Sequence, residues 1–191
     1  MSQERIRSFI SVDLDEPGIR ERIASTQRSL LETGAQLKLV NTEIMHLTLR
    51  FLGEIPQPTV EEVKKAIDAV RFSAFEIELS GLGAFPNLRR LNVVWVGIKR
   101  GHEQLAEIFQ QLEPKLRTIG LPADNKGFSP HLTIARVRTG ANMEALANYV
   151  STMGEQEFGK MLVQSVRLKR STLTPRGPIY STMHEIRSTT T

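Results

Sequence analysis

Apolar and polar residues alternate along residues 6–14, IRSFISVDL, and several are β-branched, the pattern of a half-buried strand. Asp15 and Pro17 then fit a helix N-cap and first turn, opening a helix to about Glu32 that Gly34 stops. Residues 36–40 and 45–52 form the next strands. Pro58 starts a second helix, in which Val60, Val63, Ala66, Ile67 and Val70 share one stripe. The segments AFEIELSGLGAF and LNVVWVGI are strands. Residues 102–119 form a third helix, with Pro114 as a point of kinking or division. A strand over 129–137 and a helix over 142–152 follow, and KMLVQSVRLKRSTL and IYSTMHEIR close the chain as strands.

Helices and strands are interspersed, and several neighbouring strands have short, hairpin-like links, so the expected class is α+β. Two of the strands each have a helix before and after them. The expected architecture is therefore two pseudo-symmetric lobes of mostly antiparallel sheet, helices outside, around a central groove. The final strands pair back into the first lobe in this reading, which makes residues 1–191 a single two-lobed domain.

One phrase occurs twice in this pattern: His-Leu-Thr-Leu at 46–49 and His-Leu-Thr-Ile at 131–134. Side chains on a strand alternate between faces, so His46 and Thr48 share one face while Leu47 and Leu49 take the other. The same split separates His131 and Thr133 from Leu132 and Ile134. If the two strands meet, two imidazoles and two hydroxyls converge. That set suits a phosphodiester. Histidine's ordinary pKa lies near 6.5, so a neutral ring can accept a proton while a charged one donates. The threonines can hydrogen-bond the non-bridging oxygens. No metal is needed. The residues alone leave two other readings open: a structural His-x-Thr on each strand, and metal ligation by His46 and His131. The second lacks a third ligand at suitable spacing.

Composition narrows the setting. The chain has 191 residues, 40% hydrophobic and 24% charged, ordinary for a globular protein. Cysteine is absent, which excludes disulfides and thiolate metal sites. No apolar run approaches the roughly 20 residues that span a bilayer. The start, MSQERIRSFISVDLDE, breaks its apolar stretch too early for a signal peptide, so the expected compartment is the cytoplasm. The net charge of +4 is clustered at Arg89, Arg90, Lys99 and Arg100, at Arg136 and Arg138, and at Arg167, Lys169, Arg170 and Arg176. Such clusters favour a polyanionic ligand over a merely solvated surface only weakly. Aromatic content of 6% argues against a long stacking platform.

The sequence resembles the two-histidine phosphoesterases, and within them the RNA 2′,3′-cyclic phosphodiesterases, also called bacterial and archaeal 2′-5′ RNA ligases. RSFISVDL is similar to that branch's opening strand, HLTLRFLGE and PHLTIARV to its two signature motifs, GLGAFPNLRRLNVVWVGI to its middle hairpin, and LKRSTLTPRGPIY to its closing segment. The resemblance implies hydrolysis of an RNA 2′,3′-cyclic phosphate end to a 2′-phosphate, with no metal or other cofactor, and a reverse reaction forming a 2′-5′ linkage. It implies His46 as proton donor to the leaving 3′ oxygen and His131 as proton acceptor from water. Thr48, Thr133 and Arg136 would hold the phosphate. Arg136 lies five after His131, so strict alternation would put it on the wrong face, and a bulge or strand end near Ala135 must re-aim it. The expected partner is a cyclic-ended RNA, transfer-RNA fragments included, bound by a monomer. The rivals are a phosphodiesterase of small cyclic nucleotides or ADP-ribose cyclic phosphate, and a non-catalytic RNA- or nucleotide-binding module.

Other signals carry less. GEQEFGK, residues 154–160, has phosphate-loop spacing, but Met161 follows, Glu155 and Glu157 interrupt it, and a strand comes next. His102 and His184 are expected at the surface or in the core. Phe9 and Phe51 are expected in the core. Phe128 could stack on a base, but packing is the expectation.

Overall fold

Alternation along the first segment does produce a strand, β1 (Arg5–Asp13), with Ile6, Ile10 and Val12 buried on one face. The computed structural model describes residues 4–124 and 127–189. After β1 come α1 (Pro17–Glu32), β2 (Leu37–Leu39), β3 (His46–Pro56), α2 (Gln57–Asp68), β4 (Phe75–Asn87) and β5 (Arg90–Arg100). Then follow α3 (His102–Thr118), β6 (Leu132–Val137), α4 (Met143–Thr152), β7 (Glu157–Val163), β8 (Ser165–Thr174) and β9 (Gly177–Arg187). The strands form two antiparallel sheets, a four-stranded one ordered β3-β1-β8-β9 and a five-stranded one ordered β2-β6-β5-β4-β7. The α+β expectation holds, and β8 and β9 return to the first sheet beside β1.

Three local expectations are corrected. Asp15 does not cap α1. Glu16 occupies that position without a side-chain cap, and the Asp15 carboxylate lies 3.2 Å from Arg167. The single strand expected for KMLVQSVRLKRSTL divides at Gln164. Residues before it extend the β4 edge of one sheet, and residues after it lie between β1 and β9 of the other. Helix α3 runs through Pro114 undivided.

The sheets are interlocked by helices that cross between them. From α1, Arg22 donates to the Phe158 carbonyl on β7 at 2.7 Å. Gln27, 5% exposed, donates to the carbonyls of Val40 and Ile134 at 2.7 and 2.8 Å. One continuous apolar cluster runs from Ile6 to Leu168 and draws on both sheets and all four helices. Its largest polar intrusion is Arg50, 8% exposed, on the core side of β3. Its guanidinium donates to Glu113 Oε2 at 2.9 Å, to the Phe51 carbonyl at 2.7 Å and to the Pro122 carbonyl. This ties β3 to α3 and to the chain beyond it.

Leaving one charge of such a pair unpaired costs about 3–5 kcal/mol, whereas replacing both partners by apolar groups is near neutral. Glu113→Ala is expected to lose several kcal/mol in urea unfolding, and Arg50→Met combined with Glu113→Leu to recover most of it.

Candidate active site

The motif strands β3 and β6 lie close together where the two sheets meet. Leu47, Leu49, Leu132 and Ile134 are buried in the core, and His46, Thr48, His131 and Thr133 line one cavity of about 320 Å³. Arg136 lines it too. Its re-aiming is visible in the register. Across from Val94 and Trp95 stand Ala135 and Thr133, so Ile134 is a surplus residue, a β-bulge. Both Ile134 and Ala135 are buried, and alternation resumes with Arg136 on the histidine face. The Ile134 carbonyl is satisfied by the Val40 N–H at 3.0 Å and by the Gln27 amide. The first lobe repeats the device. Ile10 and Ser11 face Arg50 and Thr48, which makes Leu49 surplus and turns the next residue, Arg50, to the core.

Both imidazoles are held alike. His46 Nδ1 lies 3.0 Å from the Ile44 carbonyl, and His131 Nδ1 lies 2.7 Å from the Ser129 carbonyl. A carbonyl can only accept, so each Nδ1 carries the proton and donates it. The Nε2 of each ring is left to take or give a proton in the cleft. Each ring is also braced by aromatic neighbours. Phe9 stacks on His46 with centroids 4.5 Å apart, and Tyr180 meets it edge-on at 5.2 Å. Phe85 meets His131 edge-on at 4.7 Å, with Trp95 at 6.2 Å. Gly83 permits this, since a Cβ there would collide with the Trp95 indole.

The electrostatic surroundings of the two rings differ. Burial pushes the His46 pKa below its ordinary 6.5. The Ile44 carbonyl and Asp13 oppose that shift, and Lys169 adds to it. Burial likewise lowers His131, the Ser129 carbonyl opposes, and Arg136 lowers it further. Asp13 pairs with His46 in the β1–β3 register and lies 2.6 Å from Lys169 and 2.8 Å from Arg167. Burial raises the Asp13 carboxyl, but these two cations outweigh burial and hold it below its usual value. Opposed charges, the Asp13 carboxylate and the Lys169 ammonium, therefore act on His46, whereas the charge acting on His131 is a cation alone.

Some of the basic clusters are spent on such pairs. Arg167 and Lys169 are held by Asp13, with Asp15 and Glu185 also on Arg167. Arg170 pairs with Glu4, and Lys99 and Arg100 with Glu78. Among the described residues, Arg136, Arg176 and Lys38 have no ion-pair partner, and all three line the cavity. Lys38, Tyr180 and Phe9 were missed in the sequence. Lys38 stands opposite Arg136 in the β2–β6 register, a pairing the sequence does not reveal. Phe9 is buried, as expected, and its ring lies against His46. Phe51, expected in the core, is 44% exposed, because the bulge at Leu49 turns it outward. Phe128 packs against Phe109 at 4.8 Å, and His184 lies 2.6 Å from Asp68. Among the described residues no cluster of three or more His, Cys, Asp and Glu could hold a metal.

The family described as LigT like phosphoesterase matches the chain twice, over residues 12–95 and 96–180, one match for each motif. An RNA 2′,3′-cyclic phosphodiesterase of Aeropyrum pernix is 41% identical over 167 residues, covering 87% of this chain and 95% of that protein. One of Methanothermobacter thermautotrophicus is 36% identical over 185 residues, covering 96% and 99%. The structure of E. coli LigT complexed with 3′-AMP superposes with a TM-score of 0.80 at 23% identity, over 98% of this chain and all of that one, a likeness of fold.

Because both rings are lowered, both imidazole titrations are expected below 6.5 when followed by NMR. Asp13→Asn removes an influence that raises His46, so His46 is expected to titrate lower still while His131 does not move.

Proposed function

We propose, from the premise that this chain belongs to the LigT like phosphoesterase family, that it is an RNA 2′,3′-cyclic phosphodiesterase which opens the cyclic end to a 2′-phosphate without a metal. The observation that carries this reading is the pair of imidazoles beside one cavity, each with Nδ1 committed to a carbonyl and Nε2 left for proton transfer.

In the proposed step, His131 Nε2 takes a proton from water as the water oxygen attacks phosphorus. The bond from phosphorus to the 3′ oxygen breaks, and that oxygen takes a proton from His46 Nε2. The RNA is left with a 2′-phosphate and a 3′-hydroxyl, and proton exchange with solvent resets the rings. Thr48, Thr133 and Arg136 meet the charge that builds on the non-bridging oxygens. Burial lowers both rings, and the neighbouring charges differ between them in a way that supports this division of labour. Asp13 favours a charged His46, the donor, and Arg136 favours a neutral His131, the acceptor. An RNA 5′-hydroxyl in place of water would yield a 2′-5′ linkage by the same bond changes. The proposed partners are RNA ends, those of cleaved transfer RNA included, bound by a monomer in the cytoplasm. A mononucleotide cyclic phosphate is the second reading, since a cavity of about 320 Å³ is at the small end for ligand pockets.

The test is a short RNA with a 2′,3′-cyclic phosphate end, incubated in excess chelator, its products separated against 2′- and 3′-phosphate standards. A 2′-phosphate product is expected. His46→Ala and His131→Ala should each lose at least about 10²-fold in turnover, and Thr48→Ala and Thr133→Ala about 1–3 kcal/mol each. A mainly 3′-phosphate product reverses the histidine roles. A requirement for a divalent ion ends the metal-free scheme, and binding without turnover leaves a non-catalytic module.

A further inference from the structure

We infer that Arg138 and Arg90, on the second sheet beyond Arg136, form a track for the backbone of a second RNA strand, the one whose 5′-hydroxyl attacks the cyclic phosphate. This rests on the phosphodiesterase reading and names a second substrate of the same site.

The track follows from which residues share the histidine face. Val137 packs against the core, so Arg136 and Arg138 on either side of it take the opposite face, that of His131 and Thr133. The Arg138 N–H donates to the Gln36 carbonyl at 2.8 Å, continuing the β2–β6 ladder in which Lys38 stands opposite Arg136. On β4, Phe85 lies against His131, Asn87 is the next residue on that face, and Arg90 is its partner on β5. Leu91, beside Arg90, is buried in the core. Arg136 pairs with Val93. Arg138 and Arg90 both lie beyond that pair, at the same end of the sheet.

These cations are uncommitted. Among the described residues Lys38, Arg90, Arg136 and Arg138 have no ion-pair partner, and Arg90 and Arg138 are exposed. Elsewhere in the sheets cations are held by carboxylates: Arg170 by Glu4, Lys99 and Arg100 by Glu78, Arg167 and Lys169 by Asp13. Like charges gathered on one face repel, and a polyanion relieves them. Hydrolysis has no use for Arg90 or Arg138, because water brings no phosphate of its own. Successive positions on one face of a strand are about 7 Å apart, close to the spacing of phosphates along an extended RNA chain.

Displacement at phosphorus is in line, so the entering and leaving oxygens lie on opposite sides. The 3′ oxygen leaves toward His46, which sets the ribose and upstream chain of the cyclic-ended strand toward the first sheet. The entering oxygen comes from the His131 side, the second sheet. There β6 leads from His131 past Arg136 to Arg138, so a strand with its 5′-hydroxyl at His131 lays its first phosphates along these arginines. His131 takes the proton of that hydroxyl as the bond from phosphorus to the 5′ oxygen forms. The bond to the 3′ oxygen breaks, and that oxygen takes a proton from His46. A 2′-5′ linkage results, and no co-reactant is consumed.

The test uses a cyclic-ended trinucleotide as donor, a 5′-hydroxyl trinucleotide as acceptor, and a mononucleotide 2′,3′-cyclic phosphate as control. Arg90→Gln combined with Arg138→Gln is expected to raise the acceptor KM in joining by about 10-fold. Hydrolysis of the trinucleotide and of the mononucleotide should stay at wild type. The slope of acceptor KM against salt should fall by about 0.7 for each contact removed. An acceptor with uncharged methylphosphonate linkages should cost the wild type a similar factor and the double variant nothing. An unchanged acceptor KM overturns the track. So does a loss confined to hydrolysis of the trinucleotide, which would put the upstream chain there instead, and so does an equal loss on the mononucleotide, which would make the arginines supports of the cleft. A wild type that hydrolyses cyclic ends but neither joins the acceptor nor cleaves a 2′-5′ linkage also overturns it. If the wild type acts on none of these substrates, the phosphodiesterase reading fails separately. Fluorescence anisotropy of a labelled 5′-hydroxyl trinucleotide then reads the track alone: binding that the double variant loses supports it, and equal binding overturns it.

Discussion

The cleft depends on one surplus residue. Ile134 interrupts the pairing of β6 with β5, and without it Arg136 would face the apolar core instead of His131 and Thr133. An irregular backbone inside a buried sheet leaves polar groups that must find partners. Here the partners come from elsewhere in the chain: the Val40 N–H and the amide of Gln27, which reaches from α1 into the second sheet. A buried glutamine in an amphipathic helix would otherwise be a liability. It is the counterpart of the irregularity that puts Arg136 on one face with His131 and Thr133. In the first lobe Arg50 has an analogous place, bonding the Phe51 carbonyl just beyond the bulge at Leu49.

Two copies of one phrase sit in unlike fields. Both imidazoles have the same backbone tether and the same kind of aromatic brace, so their positions are nearly interchangeable. Their neighbours are not. A carboxylate held by two cations stands near one, and an arginine near the other. Pseudo-symmetry thus supplies matched geometry, and the residues around it supply unlike charges.

Much of the architecture was legible because period-two alternation is a local signal. The facing of His46, Thr48, His131 and Thr133 follows from the burial of the leucines and Ile134 between them. The bulges were only half legible. A need to re-aim Arg136 could be deduced, but Leu49 leaves no trace in the pattern, and Phe51 was therefore misplaced in the core. Charge misled for a related reason. Arg167 and Lys169 read as a basic patch, yet the carboxylate that holds both, Asp13, is more than 150 positions away. The break at Gln164 was hidden because adjacent apolar strands give one continuous pattern even when they enter different sheets.

The return of β8 and β9 to the first sheet has a consequence for how the molecule comes into being. Ser8 pairs with Arg170, and Tyr180 braces a histidine more than 130 residues earlier. Pairings so distant in sequence form late and slowly. During synthesis, β1 leaves the ribosome long before its neighbour β8 exists, and it waits with one edge unpaired. Both motifs are already made at that stage, but the wall that holds His46 against Phe9 and Tyr180 is not. A nascent or truncated chain would carry both signature phrases without the strand that brings Tyr180 against His46.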